Sequence, residues 1–281
     1  MDLSNENVIH IKKDNIEYLQ FKKLLEYEDI LTHCYSLGTD VNYRVIKANG
    51  EMLEKEEYDK MIDDYNNLCE KLDLNYKNIV RPNQKHTQEV KIVKNKINLD
   101  KPDFNLIEYA DTDGLISNKS EIILSTTNAD CILLLFFDPV KKVIANTHSG
   151  WRGTLQRISV ETVKKMVSEY GCDTKDIICL ICPSIRKCHF EVDKDVKDMF
   201  EEEFKDLDIV NSKEIMEKQE DKEKWNIDTV LINQIILEKE GLKKENIIDS
   251  KICSVCNSEL IHSYRAEKNG FGLNTGLIEL K

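Results

Sequence analysis

The sequence predicts an α+β fold built on mixed sheets. Helix-patterned and strand-patterned segments interleave along the 281 residues. Several neighbouring strands are nevertheless separated by too few residues for the helical crossover that a parallel sheet needs. No Gly/Ser-rich or Pro-rich stretch divides the chain, which has only 10 Gly and 4 Pro, so one domain spanning 1–281 is expected. Hydrophobic residues make up 41% of the chain, enough to bury a sizeable core.

The elements follow in order. Asn7 to Ile11 and Thr32 to Leu37 read as short strands. Tyr58, Met61, Ile62, Tyr65, Leu68, Cys69 and Leu72 recur at spacings of three and four, the stripe of an amphipathic helix. Asn78 to Lys94 is strand-like with a break at Arg81-Pro82-Asn83. Glu121 to Phe137 is rich in β-formers and is expected to pair antiparallel with Val143 to His148. A helix is expected from about Thr154 to Tyr170, stopped by Gly171. Asp176 to Cys182 is a buried-strand run, and Asp193 to Phe204 a charged amphipathic helix. Asn211 to Lys224 reads as a solvated polar excursion. Asp228 should cap a helix that ends at Gly241. Strands are expected around Ile247 to Cys253, Leu260 to Arg265 and Gly276 to Leu280.

The net charge is −12. That argues against a nucleic-acid polymer or an anionic membrane as partner, because phosphate contacts need a basic patch. A small anion held by a few local arginines stays compatible with it. The first residues show no basic segment followed by an apolar one. The longest apolar runs, Ile132 to Phe137 and Ile177 to Cys182, fall far short of the roughly 20 residues of a membrane-spanning helix. A cytoplasmic protein with reduced thiols is expected. Its nine cysteines then read mostly as small buried hydrophobes, with one or two available for chemistry.

Three segments carry the chemistry: Gln84-Lys85-His86, Thr127-Asn128-Ala129-Asp130-Cys131 and His148-Ser149-Gly150-Trp151-Arg152-Gly153. Together they offer two imidazoles and a thiolate, from His86, Cys131 and His148. That set suits a catalytic zinc with three protein ligands and an open position for water, whose pKa zinc lowers to about 7. The plainer reading is a polar loop histidine and a cysteine that fills core at a strand head. The same residues also suit a cysteine hydrolase, with Cys131 as nucleophile and His86 or His148 as base. Gly150 and Gly153 permit a sharp strand-to-helix turn, and the helix start beside Arg152 is a natural anion site. Asp130, next to Cys131 on a strand, should point to the opposite face and act as a supporting carboxylate. Glu191 is a weaker acid/base candidate.

Cys179-x-x-Cys182 and Cys253-x-x-Cys256 look like halves of a zinc ribbon. Residues three apart on a strand face opposite ways, however, and about 70 residues separate the pairs. Both pairs are expected to be decoys. Cys188 beside His189 meets the same facing problem.

The three segments together, with Tyr109-Ala110-Asp111-Thr112-Asp113-Gly114-Leu115, Pro183-Ser184-Ile185, Phe190-Glu191-Val192 and Ser263-Tyr264-Arg265, resemble the YfiH-type family, also called the polyphenol-oxidase or laccase-domain family. The resemblance runs from about residue 30 to the end. It implies an α/β/β/α sandwich and a zinc enzyme acting on purine nucleosides. The activities implied are phosphorolysis of adenosine, inosine, guanosine or methylthioadenosine, deamination of adenosine, or, in some bacterial members, peptidoglycan editing. It also implies His86, Cys131 and His148 as the metal ligands. Arg152 and Arg265 are then the expected holders of phosphate, with Cys131 at the reacting centre. The family usually carries Gly where this chain has Thr87, and Gly-Pro where it has Cys182-Pro183. A copper polyphenol oxidase needs many histidines; of the six here, His10, His33, His189 and His262 lie outside the motifs, so one Zn²⁺ fits better than Cu²⁺. A non-enzymatic metal-containing binding protein is the remaining class.

Overall fold

A computed structural model describes residues 1–47, 51–94, 109–207, 210–268 and 270–281. Its strands are β1 (Val8–Lys13), β2 (Ile16–Phe21), β3 (Leu31–Leu37), β4 (Ile79–Val80), β5 (Val90–Ile92), β6 (Gly114–Ser117), β7 (Ile123–Asn128), β8 (Ile132–Asp138), β9 (Val143–Ser149), β10 (Ile178–Ile181), β11 (Glu191–Val192), β12 (Met216–Lys218), β13 (Trp225–Ile227), β14 (Ile247–Asp249) and β15 (Asn274–Leu280). Its helices are α1 (Lys22–Leu25), α2 (Lys55–Glu70), α3 (Trp151–Leu155), α4 (Ile158–Tyr170), α5 (Lys194–Glu203), α6 (Thr229–Glu240) and α7 (Tyr264–Glu267).

One six-stranded sheet has the order β1-β2-β3-β15-β7-β4 and a second the order β14-β10-β8-β9-β6-β5. Both are mixed: β4 with β7, β10 with β14 and β5 with β6 are parallel, and the other neighbours antiparallel. The apolar run of β8 shows how they stack. Leu133, Leu135 and Phe137 join Tyr35, Leu124 and Ile278 of the first sheet in one core. Ile132, Leu134 and Phe136 point the other way, onto Ile158, Val163 and Met166 of α4 and Val230 and Leu237 of α6. A strand buried on both faces needs a continuous hydrophobic run, not an alternating one. On the far face of the first sheet, Tyr18, Cys34, Ile123 and Leu277 receive Met61, Tyr65 and Leu68 of α2. The layers are therefore helix, sheet, sheet, helix, the α/β/β/α order expected. A small sheet, β11-β13-β12, packs with α5 and α6 through Phe200, Ile215, Ile227 and Ile236.

Several boundaries differ from expectation. The stretch 121–137, expected as one strand, divides at Ala129-Asp130-Cys131, where Asp130 has φ 85°. Its halves, β7 and β8, lie in different sheets. The helix expected over 154–170 starts earlier as α3 and breaks at Arg157, which is left-handed at φ 55° and holds Glu203 at the end of α5 and Asp206 just after it. The polar segment 211–224 contains β12, and Ile215 and Met216 are buried. The region Leu260 to Arg265 is not a strand; it leads into α7, capped by Ser263. The helix stops at Gly171 and Gly241 and the Asp228 cap are found as expected. Among the described residues no helix is long and apolar enough to cross a membrane.

Candidate metal centre

The break between β7 and β8 sets the centre. Asn128 closes that turn: its Nδ2 donates to the carbonyls of Cys131 (2.5 Å) and Pro183 (3.0 Å), and its Oδ1 accepts from the Tyr35 hydroxyl (2.9 Å). Cys131 is thereby presented at the mouth of the β8–β9 hairpin. In that hairpin Ile132 pairs with Ser149 and Leu133 with His148. The loop between β4 and β5 supplies His86. Gln84 docks this loop on the end of β7, its Nε2 donating to the Thr127 carbonyl (2.8 Å) and its Oε1 accepting from the Thr127 amide (2.9 Å). His86 itself adopts φ 61°.

The donor atoms of His86, Cys131 and His148 all lie within 4.8 Å of one another. Cys131 Sγ is 3.8 Å from His86 Nε2, and the two imidazoles meet edge to face with centroids 4.9 Å apart. Gly150 is what permits this approach. A Cβ there would lie 2.5 Å from His86 Cδ2 and 3.1 Å from Cys131 Sγ, so any side chain would displace a donor.

Asp113, fully buried, holds the centre from behind. Its Oδ1 accepts from His148 Nδ1 (2.8 Å) and the His86 amide (3.0 Å). Its Oδ2 accepts from the amides of Lys85 (3.1 Å) and Thr87 (2.7 Å) and from the Thr87 hydroxyl (2.9 Å). This fixes the His148 tautomer and leaves Nε2 as the nitrogen turned toward Cys131. Burial opposes the charge on Asp113, but the His148 contacts and backbone donors hold its pKa down at about 2. Burial likewise pushes the Cys131 thiol up; the charge of His148 and hydrogen bonds from both histidines outweigh it and bring the pKa to about 6. Burial would lower His148, yet Cys131 and Asp113 raise it to about 10. The chemistry is that of a thiolate facing an imidazolium, or of three ligands facing one cation.

The centre opens on a cavity of about 1130 Å³. Phe190, Trp151, Tyr264 and Phe271 give it aromatic walls, and Arg44, Arg81, Arg265, Lys47, Lys85 and Lys268 give it positive charge. Arg265 reaches this wall, donating to the carbonyls of His189 (2.8 Å) and Glu191 (3.2 Å). Arg152 is exposed and stacks on Trp151, its Cζ 4.1 Å from the ring centroid; it is absent from the described lining. The helix start expected to bind an anion beside it is only the five-residue α3, too short to build a macrodipole. Asp130 turns away from Cys131 and accepts from Ser254 Oγ (2.6 Å) and the Arg265 amide (2.7 Å). Glu191 accepts from Gln219 Nε2 at 2.7 Å.

Residue chemistry alone does not single out Asp113 within the Asp111-Thr112-Asp113-Gly114 segment. Nor does it single out Arg44 and Arg81. Cys179 and Cys182 do face opposite cores. The dismissal of the other pairs is corrected by a second cluster, in which the donor atoms of Cys188, His189, Cys253 and Cys256 lie within 4.8 Å of one another. Cys188 and His189 sit in a turn rather than a strand, so strand alternation does not govern where they point.

Comparison with known proteins places the chain among relatives. The mouse purine nucleoside phosphorylase LACC1 is 32% identical over 173 residues, 60% of this chain and 38% of that protein; this chain thus spans under half the length of that relative. Adenosine deaminase RL5, from an unknown prokaryotic organism, is 26% identical over 74% of this chain and 76% of that protein. The fold matches YlmD from Geobacillus stearothermophilus with a TM-score of 0.78, at 19% identity, over 98% of this chain and 99% of that one. The model of the multi-copper polyphenol oxidoreductase laccase family matches residues 33–281, and the chain belongs to that family.

Proposed function

We propose that this chain is a zinc-dependent purine nucleoside enzyme that cleaves the glycosidic bond by phosphorolysis, and that residues 1–281 form one domain, catalytic from about residue 30. One observation carries the reading: a Cys/His/His donor set, tied to buried Asp113, faces a cavity whose walls are aromatic and cationic. Two imidazoles and a thiolate match zinc in softness, and three protein ligands are the number that catalytic zinc sites use. The room left by Gly150 supports the same fit. When bound, zinc supplies Lewis-acid activation of an oxygen ligand.

The protein groups do the remaining work. Tyr264, 59% exposed at the cavity edge, stacks edge-on against Phe271 and offers a purine an aromatic face. Arg44 and Arg265 supply charge for phosphate. Asp113 keeps a proton on His148 Nδ1 and so orients the ring. RL5 supports adenosine deamination as a further activity of the same centre.

A second reading has its own observation. Asp113, His148 and Cys131 are arranged as a carboxylate, an imidazole and an activated thiolate, the pattern of a cysteine nucleophile. Inosine and adenosine turnover, with and without phosphate, separates these readings. The expected result is hypoxanthine and ribose 1-phosphate from inosine only when phosphate is present, with both turnover and a bound zinc lost in Cys131→Ala. Full turnover by metal-free protein would favour the nucleophile. No product from either nucleoside would overturn the enzyme reading in favour of a binding protein.

A further inference from the structure

We propose a second zinc site, separate from the centre above, in which Cys188, His189, Cys253 and Cys256 form a closed Cys₃His cage that staples one wall of the cavity. The distances already describe such a cage. Cys188 Sγ is 3.6 Å from Cys253 Sγ and 4.0 Å from Cys256 Sγ. His189 Nδ1 is 3.2 Å from Cys188 Sγ and 3.6 Å from each of the other two sulfurs. Zinc–sulfur bonds of about 2.3 Å and zinc–nitrogen bonds of about 2.0 Å require tetrahedron edges of about 3.8 Å between sulfurs and about 3.5 Å from sulfur to nitrogen. The four side chains stand at those edges.

Burial does not account for Cys188 and Cys256, which are exposed, whereas Cys34, Cys69, Cys179 and Cys182 are core residues. Two exposed thiols and an imidazole gathered around the buried Cys253 need another reason, and a shared cation supplies one. The amides of Cys256 and Arg186 donate to the Cys253 sulfur. A ligand pair spaced C-x-x-C, here with Cys253 just before a short helical turn (Val255–Asn257) and Cys256 in it, is a recurrent half of structural zinc sites.

The cage closes two segments far apart in sequence, already aligned by a bridge between Ser184 and Cys253 and by the ion pair of Arg186 with Asp249. Its consequence lies in the cavity wall. The His189 carbonyl anchors the Arg265 guanidinium, and Ser254, between two ligands, holds Asp130 beside Cys131. Four protein ligands leave no open position, so this zinc is structural.

Metal analysis of the whole protein tests the proposal. Cys188→Ser and Cys256→Ser, both at exposed positions, should each lose one zinc equivalent per chain. Cys131→Ala should keep that equivalent, whatever becomes of the first centre. A second measurement needs no variant: Cys188 and Cys256 in the native protein should resist alkylation and become reactive once a chelator is added. The proposal is overturned if zinc content is the same in Cys256→Ser as in the native protein. It is equally overturned if the cluster carries iron, if mass spectrometry finds a Cys188–Cys253 disulfide, or if both exposed thiols alkylate at full rate without chelator.

Discussion

At the scale of single residues, Asp113 is the hinge of the centre. One carboxylate satisfies a ligand's ring nitrogen, two neighbouring backbone amides and the amide of His86 itself. Replacing it by Asn substitutes an NH₂ for one acceptor, so at least one of these donors faces another donor. Asp113→Asn should therefore weaken zinc binding at the first centre by about 10- to 100-fold, measured by competition with a chromophoric chelator. An unchanged affinity would show that His148 needs no such partner. Residue chemistry singles out His86, Cys131 and His148, because few side chains ligate zinc and each stands in a distinctive segment, and the fold gathers their donor atoms. It does not single out Asp113. Its partners lie 26 to 35 residues away, and nothing local tells a buried acceptor from a turn aspartate. Cys188 and His189 sit in a turn, where strand alternation does not set their direction.

At the scale of elements, capping residues proved dependable guides. Asp228 accepts the Leu231 amide at 2.9 Å, and Gly241 ends the same helix at φ 109°. Asp228→Ala should cost about 1 kcal/mol of folding free energy, seen as a lower urea midpoint with an unchanged slope. These signals are read locally, since caps answer to the first and last turns alone. The break at Arg157 had no such signal. Its left-handed backbone is held by ion pairs to Glu203 and Asp206, a tertiary interaction that overrides propensity. The strand break at Asp130 is similar: tertiary contacts of Asn128 and Asp130 impose it, not a glycine or proline.

At the scale of the whole molecule, the first sheet carries a titratable group that couples stability to pH. His33 is 1% exposed in β3, and its Nε2 accepts the Phe21 amide at 2.8 Å. Burial holds its pKa down at about 3, against 6.5 for the free side chain. Between those values the unfolded chain binds the proton and the folded chain does not. Stability therefore rises with pH across that window, is fully present above 6.5, and falls as pH drops toward 3. His33→Gln keeps an acceptor for Phe21 and removes the titration. From pH 7 to pH 5 the native protein should lose about 2 kcal/mol more than this variant, read from urea melts; equal losses would mean that His33 does not titrate on unfolding. The net charge of −12 also changes meaning at this scale. Basic side chains converge on the cavity, so a small anion meets a positive wall on an acidic protein.

The sequence by itself determined the mixed α+β class, the apolar run of Ile132 to Phe137 and the helix ends at Gly171 and Gly241, and it singled out His86, Cys131 and His148, whose donor atoms the fold gathers. Each depends on periodicity, backbone conformation or ligand chemistry, which are properties of a residue and its near neighbours. Only the tertiary structure decided which sheet each half of 121–137 joins, that Asp113 supports two of the donors, and that Cys188 and His189 meet Cys253 and Cys256. Those outcomes depend on contacts between segments tens of residues apart. Spacing along a chain carries no record of such contacts until two packed sheets bring the segments together.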